Sequence, residues 1–358
     1  MQRWAVILAG GMGTRFWPWS RQNNPKQFLP VISKSPMIEE TVKRIKPMIP
    51  EKNIIIVTHE SFYKKIKKIF PKFNKENILL EPESKNTAPA VIYVASFISK
   101  KDRNSSILIL PADHFIRKDE LFHGLIKSAF EIAEENDYLI TFGINPKAPE
   151  TGYGYIEINR NKQIQKNGNY FFEVKQFKEK PSKEKAIEFI SSKNFFWNSG
   201  IFLWSIEAFE NKLEKFAPEF FVYYKKFENA LAKKDFSLLK NIYKKIQSIS
   251  IDYALMEKSD DVFVGKANFI WSDVGSWSSL YELWGKDKNN NAIRANLTTI
   301  DSSGCVVFSE KKLISLIDVK DMVIIDTDDA LLICPKEKSQ RVKEIIEMLK
   351  KEKKLNYL

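Results

Sequence analysis

Four short apolar runs, at 4–9, 53–58, 106–110 and 138–143, are separated by stretches whose apolar residues recur at helical spacing. The runs predict strands, and 35–45, 61–70, 88–100 and 120–136 predict the helices between them. Strands joined through helices pair in parallel, so this alternation predicts an α/β layered sheet with substantial parallel pairing. At 358 residues the chain is long enough for one large domain and a smaller one with a sizeable core.

The pattern becomes mixed after residue 150. Gly152-Tyr153-Gly154-Tyr155 predicts a turn into a strand, 172–179 a further strand and 183–192 a helix, with helical segments continuing to about 258. A polar break at 285–291 marks a boundary. Short β-rich pieces follow at 296–301, 305–308, 313–317, 322–326 and 330–334. The last stretch, 336–354, predicts an amphipathic helix with Val342, Ile345, Ile346 and Leu349 on its apolar face. The expected division is therefore a main domain over 1–288 and a β-rich domain with a terminal helix over 289–358.

Composition removes several classes of function. No apolar run is long enough to span a bilayer, and Met1-Gln2-Arg3 leads straight into a strand pattern rather than a signal peptide. Two cysteines, Cys305 and Cys334, predict a reducing, cytoplasmic setting without disulfides. Together with only three histidines they cannot assemble a zinc-type cluster. The net charge of +12 raises nucleic-acid binding, but the lysines are spread along the chain. Runs such as Tyr63-Lys64-Lys65-Ile66-Lys67-Lys68 have the spacing of a solvated helix face, so neither nucleic acid nor membrane is an expected partner.

The first predicted strand runs into ILAGGMGTRFWPWSRQNNPKQF, residues 7–28. A glycine-rich turn after a strand lets backbone N–H groups converge on an anion. Gly13-Thr14-Arg15 lacks the Gly-Lys-Ser/Thr ending of a Walker A loop. Phe16 stands where a dinucleotide fingerprint begun at Gly11 needs a small residue. The remaining reading is a nucleotidyltransferase loop, in which Gly10, Gly11 and Gly13 offer amides, Arg15 covers the phosphates and Lys26 reaches in from the next turn. Trp17 and Trp19 are expected to anchor the loop by packing, and Arg21 either pairs with a phosphate or braces the loop.

A carboxylate just beyond a buried strand sits where open α/β sheets bind ligands. Asp113, in Leu110-Pro111-Ala112-Asp113-His114, is such a residue and the first candidate for Mg²⁺, which prefers one or two carboxylates plus phosphate oxygens. His114 is expected to be structural. A polar loop before a helix, Glu81 to Ala88, could supply both a hydrogen-bond acceptor and a donor to a ligand. Glu81 is one candidate there, and a helix-start role for Asn86 or Thr87 is the alternative.

The string Gly-Gly-x-Gly-Thr-Arg followed by Pro25-Lys26 resembles the signature of the nucleoside-diphosphate-sugar pyrophosphorylases. Phe16-Trp17-Pro18-Trp19-Ser20-Arg21 and Pro25-Lys26-Gln27-Phe28 are similar to the mannose-1-phosphate guanylyltransferase branch of that family. So are Glu81-Pro82 with Asn86-Thr87-Ala88-Pro89-Ala90, the Asp113 string, Trp197-Asn198-Ser199-Gly200, Ser250 to Lys258 and Trp271-Ser272-Asp273-Val274-Gly275. The resemblance implies a Rossmann-like nucleotidyltransferase domain with a mixed, mostly parallel sheet. It also implies a partial left-handed β-helix after it, with a homodimer formed through that part. A small β-rich cap over the main domain is the alternative.

The same resemblance implies the reaction GTP + mannose 1-phosphate ⇌ GDP-mannose + pyrophosphate, dependent on Mg²⁺ or another divalent cation. It assigns Asp273 as the second metal-binding acid, far from Asp113 in sequence. Arg15, Lys26, Asp113 and Asp273 are then the catalytic set. Leu8, Gly10, Gly11, Gly13, Thr14, Arg15, Lys26, Glu81, Asn86 and Ala88 take the nucleotide, and Gly154, Glu179, Lys180 and Asn198 the sugar phosphate. Asp252 is expected to be a helix N-cap that helps shape the pocket. Three rivals stand beside this reading. The first is dTTP or UTP with glucose 1-phosphate. The second adds phosphomannose isomerase activity, for which the chain has few histidines and stops early at Leu358. The third is a silent sugar-nucleotide binding protein.

Overall fold

Trp4 to Ile7 are all buried in the first strand, Gln2–Leu8 (β1), as apolar runs covered on both faces must be. The computed structural model describes residues 1–11 and 13–358. The further strands are β2 (Ile54–His59), β3 (Ile78–Glu81), β4 (Ser105–Pro111), β5 (Phe115–Arg117), β6 (Leu139–Ile144), β7 (Gly154–Lys166) and β8 (Asn169–Glu179). They continue as β9 (Phe195–Ser205), β10 (Val262–Lys266), β11 (Ile270–Ser272), β12 (Ala292–Ile300), β13 (Val306–Ile317), β14 (Met322–Asp326) and β15 (Leu331–Pro335).

The chain divides into two compact units that interleave along the sequence. The first comprises Met1–Gly10, Thr41–Ala112 and Ile116–Trp271; the second comprises Gly11–Glu40, Asp113–Phe115 and Ser272–Leu358. The glycine loop from Gly11 onward and Asp113, expected within a continuous main domain over 1–288, thus fall in the same unit as the C-terminal strands, while Gly10 stays in the first unit.

The first unit holds a nine-stranded sheet in the order β3-β2-β1-β4-β9-β6-β10-β8-β7. Pairing is parallel from β3 through β4 and between β6 and β10. Only β9 and β8 run against the other seven strands. β9 lies between β4 and β6 and is antiparallel to both, which makes the sheet mixed rather than fully parallel. Leu8, Pro111 and Glu81 all finish their strands at one edge, with Leu8 paired to Pro111 and His59 to Glu81. That edge lies beyond the carboxyl ends of parallel strands, where such sheets bind ligands. The core on one face packs the nearly all-apolar helix Thr87–Lys101 against Trp204, Phe209, Tyr224, Phe227 and Tyr243.

In the second unit β12, β13 and β14 pair in parallel and β15 closes antiparallel on β14. The pieces expected at 305–308 and 313–317 are one strand, β13. The charged stretch Glu310-Lys311-Lys312 hides this continuity in the sequence, yet Ser309 and Lys312 are tied to Asp326 on β14 at 2.9 and 2.7 Å. The terminal helix also differs from expectation. A 3₁₀ turn, Lys336–Arg341, precedes the α-helix Val342–Lys351; Val342 and Ile346 are buried while Ile345 is exposed. Phe16, Trp17, Trp277, Trp284, Phe308, Val342 and Ile346 form this unit's core. Among the described residues no helix is long and apolar enough to cross a membrane.

Candidate active site

Within the second unit, the residues after β1 wind into a 3₁₀ turn, Thr14–Phe16, and a second, Lys26–Phe28. Both are pinned by polar contacts from the loop itself. Ser20 Oγ donates to the Gly13 carbonyl (2.7 Å) and Gln27 Nε2 to the Gly11 carbonyl (2.7 Å). Aromatic packing holds the loop from behind: Phe16 lies 5.1 Å from the Trp277 ring and Trp19 4.2 Å from that of Phe308. Trp277 Nε1 donates to the Trp17 carbonyl (3.0 Å) and Trp17 Nε1 to that of Tyr357 (2.7 Å).

Arg21 donates to the Tyr357 carbonyl (2.8 Å) and pairs with Asp329 (2.5 Å) while lying over the Trp17 ring. Of the two roles open to it, the structure shows the brace. Arg21→Ala is expected to lower the unfolding midpoint, by about 1 kcal/mol of stability since Asp329 is half exposed. A melting curve matching the unsubstituted protein's would show that the brace carries no energy.

Lys26 is buried, and its ammonium donates to three oxygens: Asp113 Oδ2 (2.7 Å), the Asp273 carbonyl (2.8 Å) and the Val274 carbonyl (3.0 Å). An ammonium has three donors, so the set is complete. Lys26 therefore ties the segments carrying the two candidate metal acids to each other, a role spacing could not reveal. A cavity of about 250 Å³ is lined by Gly13, Thr14, Arg15, Lys26, Asp113 and Asp273. His114 and Gly275 also face it, and Arg15 is exposed at its side. Burial pushes the Asp113 carboxyl up, but the charges of Lys26 and His114 and the Lys26 hydrogen bond outweigh it and hold the group below its ordinary range.

This donor set fits a hard divalent cation that keeps water and takes phosphate oxygens. Among the described residues no three His, Cys, Asp or Glu side chains converge as a full cage. Two carboxylates on one cavity beside a cation suit a divalent metal that takes its remaining oxygens from water and a bound group.

In the first unit, Glu81 ends β3 beneath Gly10: its Oε2 lies 2.4 Å from where a Cβ on residue 10 would be. Any side chain there would collide with the carboxylate, which accounts for the glycine. Tyr243 donates its hydroxyl to Glu81 Oε1, and Glu81 is 4% exposed. Burial raises its carboxyl to about 7, against the lowering effect of the Tyr243 hydrogen bond. Asn86 takes the helix-start role: its side chain accepts from Thr87 N (2.9 Å) as the N-cap of Thr87–Lys101. Thr87 Oγ1 accepts from Ile251 N (2.9 Å), and Lys85 donates to the Ile246 carbonyl (3.1 Å). Ala88, also expected at the nucleotide, is the second residue of that helix. It is fully buried, and its amide donates to the Ile249 carbonyl (3.0 Å), which holds the start of the helix against that segment.

The sugar-side candidates of the first unit converge by strand register. Gly154 on β7 pairs with Glu179 on β8, and Gly143 on β6 with Asn198 on β9. Glu179 Oε2 fills the space a Cβ on Gly154 would need, and the Asn198 Cβ lies 3.6 Å from it. Lys180 is exposed and pairs with Glu179 at 3.3 Å. Asn198 Nδ2 donates to Asp252 Oδ1 (2.6 Å).

Asp252 corrects the N-cap expectation. It is the first residue of a π-turn, Asp252–Met256, and Ser250 is the residue whose hydroxyl accepts from a downstream amide, that of Tyr253 (3.3 Å). Burial and the nearby Glu179 raise the Asp252 carboxyl to about 6, despite the Asn198 hydrogen bond. The Ser-x-Asp spelling reads as capping chemistry, and nothing local to it announces an Asn partner on a distant strand. An aromatic group, Tyr153 with Trp197 (5.0 Å) and Trp271 (5.5 Å), was also not singled out, because its members are scattered in sequence.

Comparison with known proteins shows the family. Residues 4–290 match the family described as Nucleotidyl transferase, and residues 295–349 the MannoseP isomerase/GMP-like beta-helix domain. The chain is 36% identical over 356 residues to a mannose-1-phosphate guanylyltransferase of Klebsiella pneumoniae, covering 98% of this chain and 75% of that one. A solved structure from Thermus thermophilus, described as a mannose-1-phosphate geranyltransferase, is 29% identical with a TM-score of 0.87. It covers 98% of this chain and 100% of its own. A Helicobacter pylori structure described as a mannose-6-phosphate isomerase is 30% identical with a TM-score of 0.61, covering 76% of this chain and 100% of that one. On the extent of these matches, the chain belongs to the nucleotidyl transferase family and, within it, to the mannose-1-phosphate guanylyltransferases.

Proposed function

We propose that the chain transfers a guanylyl group from GTP to mannose 1-phosphate, giving GDP-mannose and pyrophosphate. The observation that carries this reading is the cavity on which Asp113 and Asp273 lie together with Lys26 and the glycine loop. A phosphate oxygen of the sugar phosphate attacks the α-phosphorus in line. The bond from that phosphorus to the β-phosphate's bridging oxygen breaks, and pyrophosphate leaves with the electron pair. No covalent enzyme intermediate is needed.

The loop amides of Gly10, Gly11 and Gly13, with Thr14, Arg15 and the Leu8 end of the first strand, take the nucleotide and its phosphates. The segment from Glu81 to Asn86 takes the base, with Ala88 behind it. Gly154, Glu179 and Asn198 receive the hexose, and the exposed Lys180 its phosphate. A divalent cation, Mg²⁺ in our reading, would be held by Asp113 and Asp273 and would supply positive charge to the phosphate oxygens. Lys26 sets those two acids and adds its own charge beside them. Placement and preorganised charge account for the acceleration. The free thiols of Cys305 and Cys334 suit a reducing compartment, and we assign the reaction to the cytoplasm.

The deciding measurement is pyrophosphate release with GTP and mannose 1-phosphate beside dTTP or UTP with glucose 1-phosphate, with and without chelator. Mannose 6-phosphate isomerisation is followed in parallel. Release with the first pair that chelator abolishes and added divalent cation restores is the expected result. Preference for another pair, isomerisation alone, or binding without turnover would each replace the proposal.

A further inference from the structure

We infer that Asp252 is a positioning residue for the sugar-phosphate site, fixing the side-chain amide of Asn198 so that one N–H remains for a hexose hydroxyl. The inference rests on the assignment of Asn198 to that site. Its ground is the hydrogen-bond inventory of a single amide. Asn198 Oδ1 accepts from Gly200 N (3.2 Å), while Thr141 Oγ1, also 3.2 Å away, has the Ile201 carbonyl (3.0 Å) as the nearer acceptor for its single hydrogen. Nδ2 has two hydrogens, and one goes to Asp252 Oδ1 (2.6 Å).

An ionised carboxylate can only accept, so Asp252 enforces which end of the amide faces it. The Gly200 amide can only donate, so it enforces the other end. A flipped Asn198 would oppose N–H to N–H at Gly200 and oxygen to carboxylate at Asp252. The amide is thus locked, and the ordering cost of choosing one rotamer is met before substrate arrives.

The local backbone supports a functional origin for this contact. Asp252 opens a π-turn, a rare deviation that is enriched at functional sites, whereas a plain helix would offset the residues of this turn differently. Tyr253 beside it is exposed while Ala254, Leu255 and Met256 are buried, so the turn is anchored by three apolar side chains. Glu179, the other sugar-side acid, is near enough to act on Asp252 electrostatically.

The test is a double-mutant cycle on steady-state kinetics of the full chain with GTP and mannose 1-phosphate. Asn198→Ala and Asp252→Ala are each expected to raise KM for the sugar phosphate on the order of 10-fold, with KM for GTP little moved. The combination should match Asn198→Ala alone, because a residue acting only through another adds nothing once that other is gone. Asp252→Asn keeps an accepting oxygen and should stay within about threefold of the unsubstituted enzyme. Asp252→Leu, near in shape and without an acceptor, is the second probe and should behave like the alanine variant even if that one does not fold. Multiplying effects in the double variant, or a rise in KM for GTP equal to that for sugar phosphate, would overturn the coupling. An altered KM in Asn198→Ala with silent Asp252→Ala and Asp252→Leu would overturn this inference alone. A silent Asn198→Ala would overturn the sugar-site assignment beneath it.

Discussion

Lys26→Ala is expected to lower kcat for pyrophosphate release on the order of 10²-fold or more, the loss that follows removal of a preorganised charge at a transferring phosphoryl group. Three hydrogen bonds vanish at once. Asp113 loses the cation that keeps its carboxyl below the ordinary range, and the carbonyls of Asp273 and Val274 lose their donor. The two acids then lack a common tether, so the effect reaches beyond the missing charge. Lys26→Arg should recover little, because a planar guanidinium cannot converge on three oxygens set around one ammonium. Rapid-quench turnover at saturating substrates, with a melting curve to confirm the fold, provides the check. A folded alanine variant within a few-fold of the unsubstituted rate would remove Lys26 from the chemistry.

Glu81→Gln is expected to make stability less sensitive to pH. The folded carboxyl sits at about 7 against an ordinary 4.5, so the folded state holds a proton that the unfolded chain gives up. Stability from this group is present below about 4.5 and declines as pH rises to about 7, in total by up to about 3 kcal/mol. Glutamine keeps an oxygen for the Tyr243 hydroxyl and has no charge to bury. The variant's denaturation midpoint, relative to the unsubstituted protein, should therefore climb between pH 5 and pH 8. Taking the difference between the two proteins cancels the other titrating groups. A difference that stays flat over that interval would show that Glu81 is ionised at little cost in the fold. The same preparations report on base recognition through KM for GTP.

The parallel half of the sheet was legible because β1, β2, β4 and β6 are apolar on both faces and leave uninterrupted runs in the sequence. β9 was not: Phe195–Ser205 lies inside the stretch expected to continue as helical segments to about 258, yet it forms a strand between two partners. Packing against β6 and β7 overrode the local signal. In the second unit, Trp17 and Trp19 were legible as anchors because two indoles beside a glycine loop need apolar cover. Their partners Trp277 and Phe308 were not, being assembled only by the tertiary fold. The candidate residues near Lys26 show the same limit. Residue types pointed to an acid pair and a cation; that the cation would grip backbone carbonyls at 273 and 274 is a property of the fold.

The interleaving of the compact units bears on how such a protein can be rearranged. A cut at the seam between the two family matches, near residues 290–295, looks natural on the linear map. Yet the apolar cluster that holds Phe16 and Trp17 of the glycine loop includes Phe308, Val342 and Ile346, all on the far side of that seam. Grafting a foreign tail at that point would leave Phe16 and Trp17 facing side chains they were never shaped against. Exchange between relatives therefore succeeds only when loop and tail travel together, and the two stretches should diversify as one piece despite lying at opposite ends of the polypeptide.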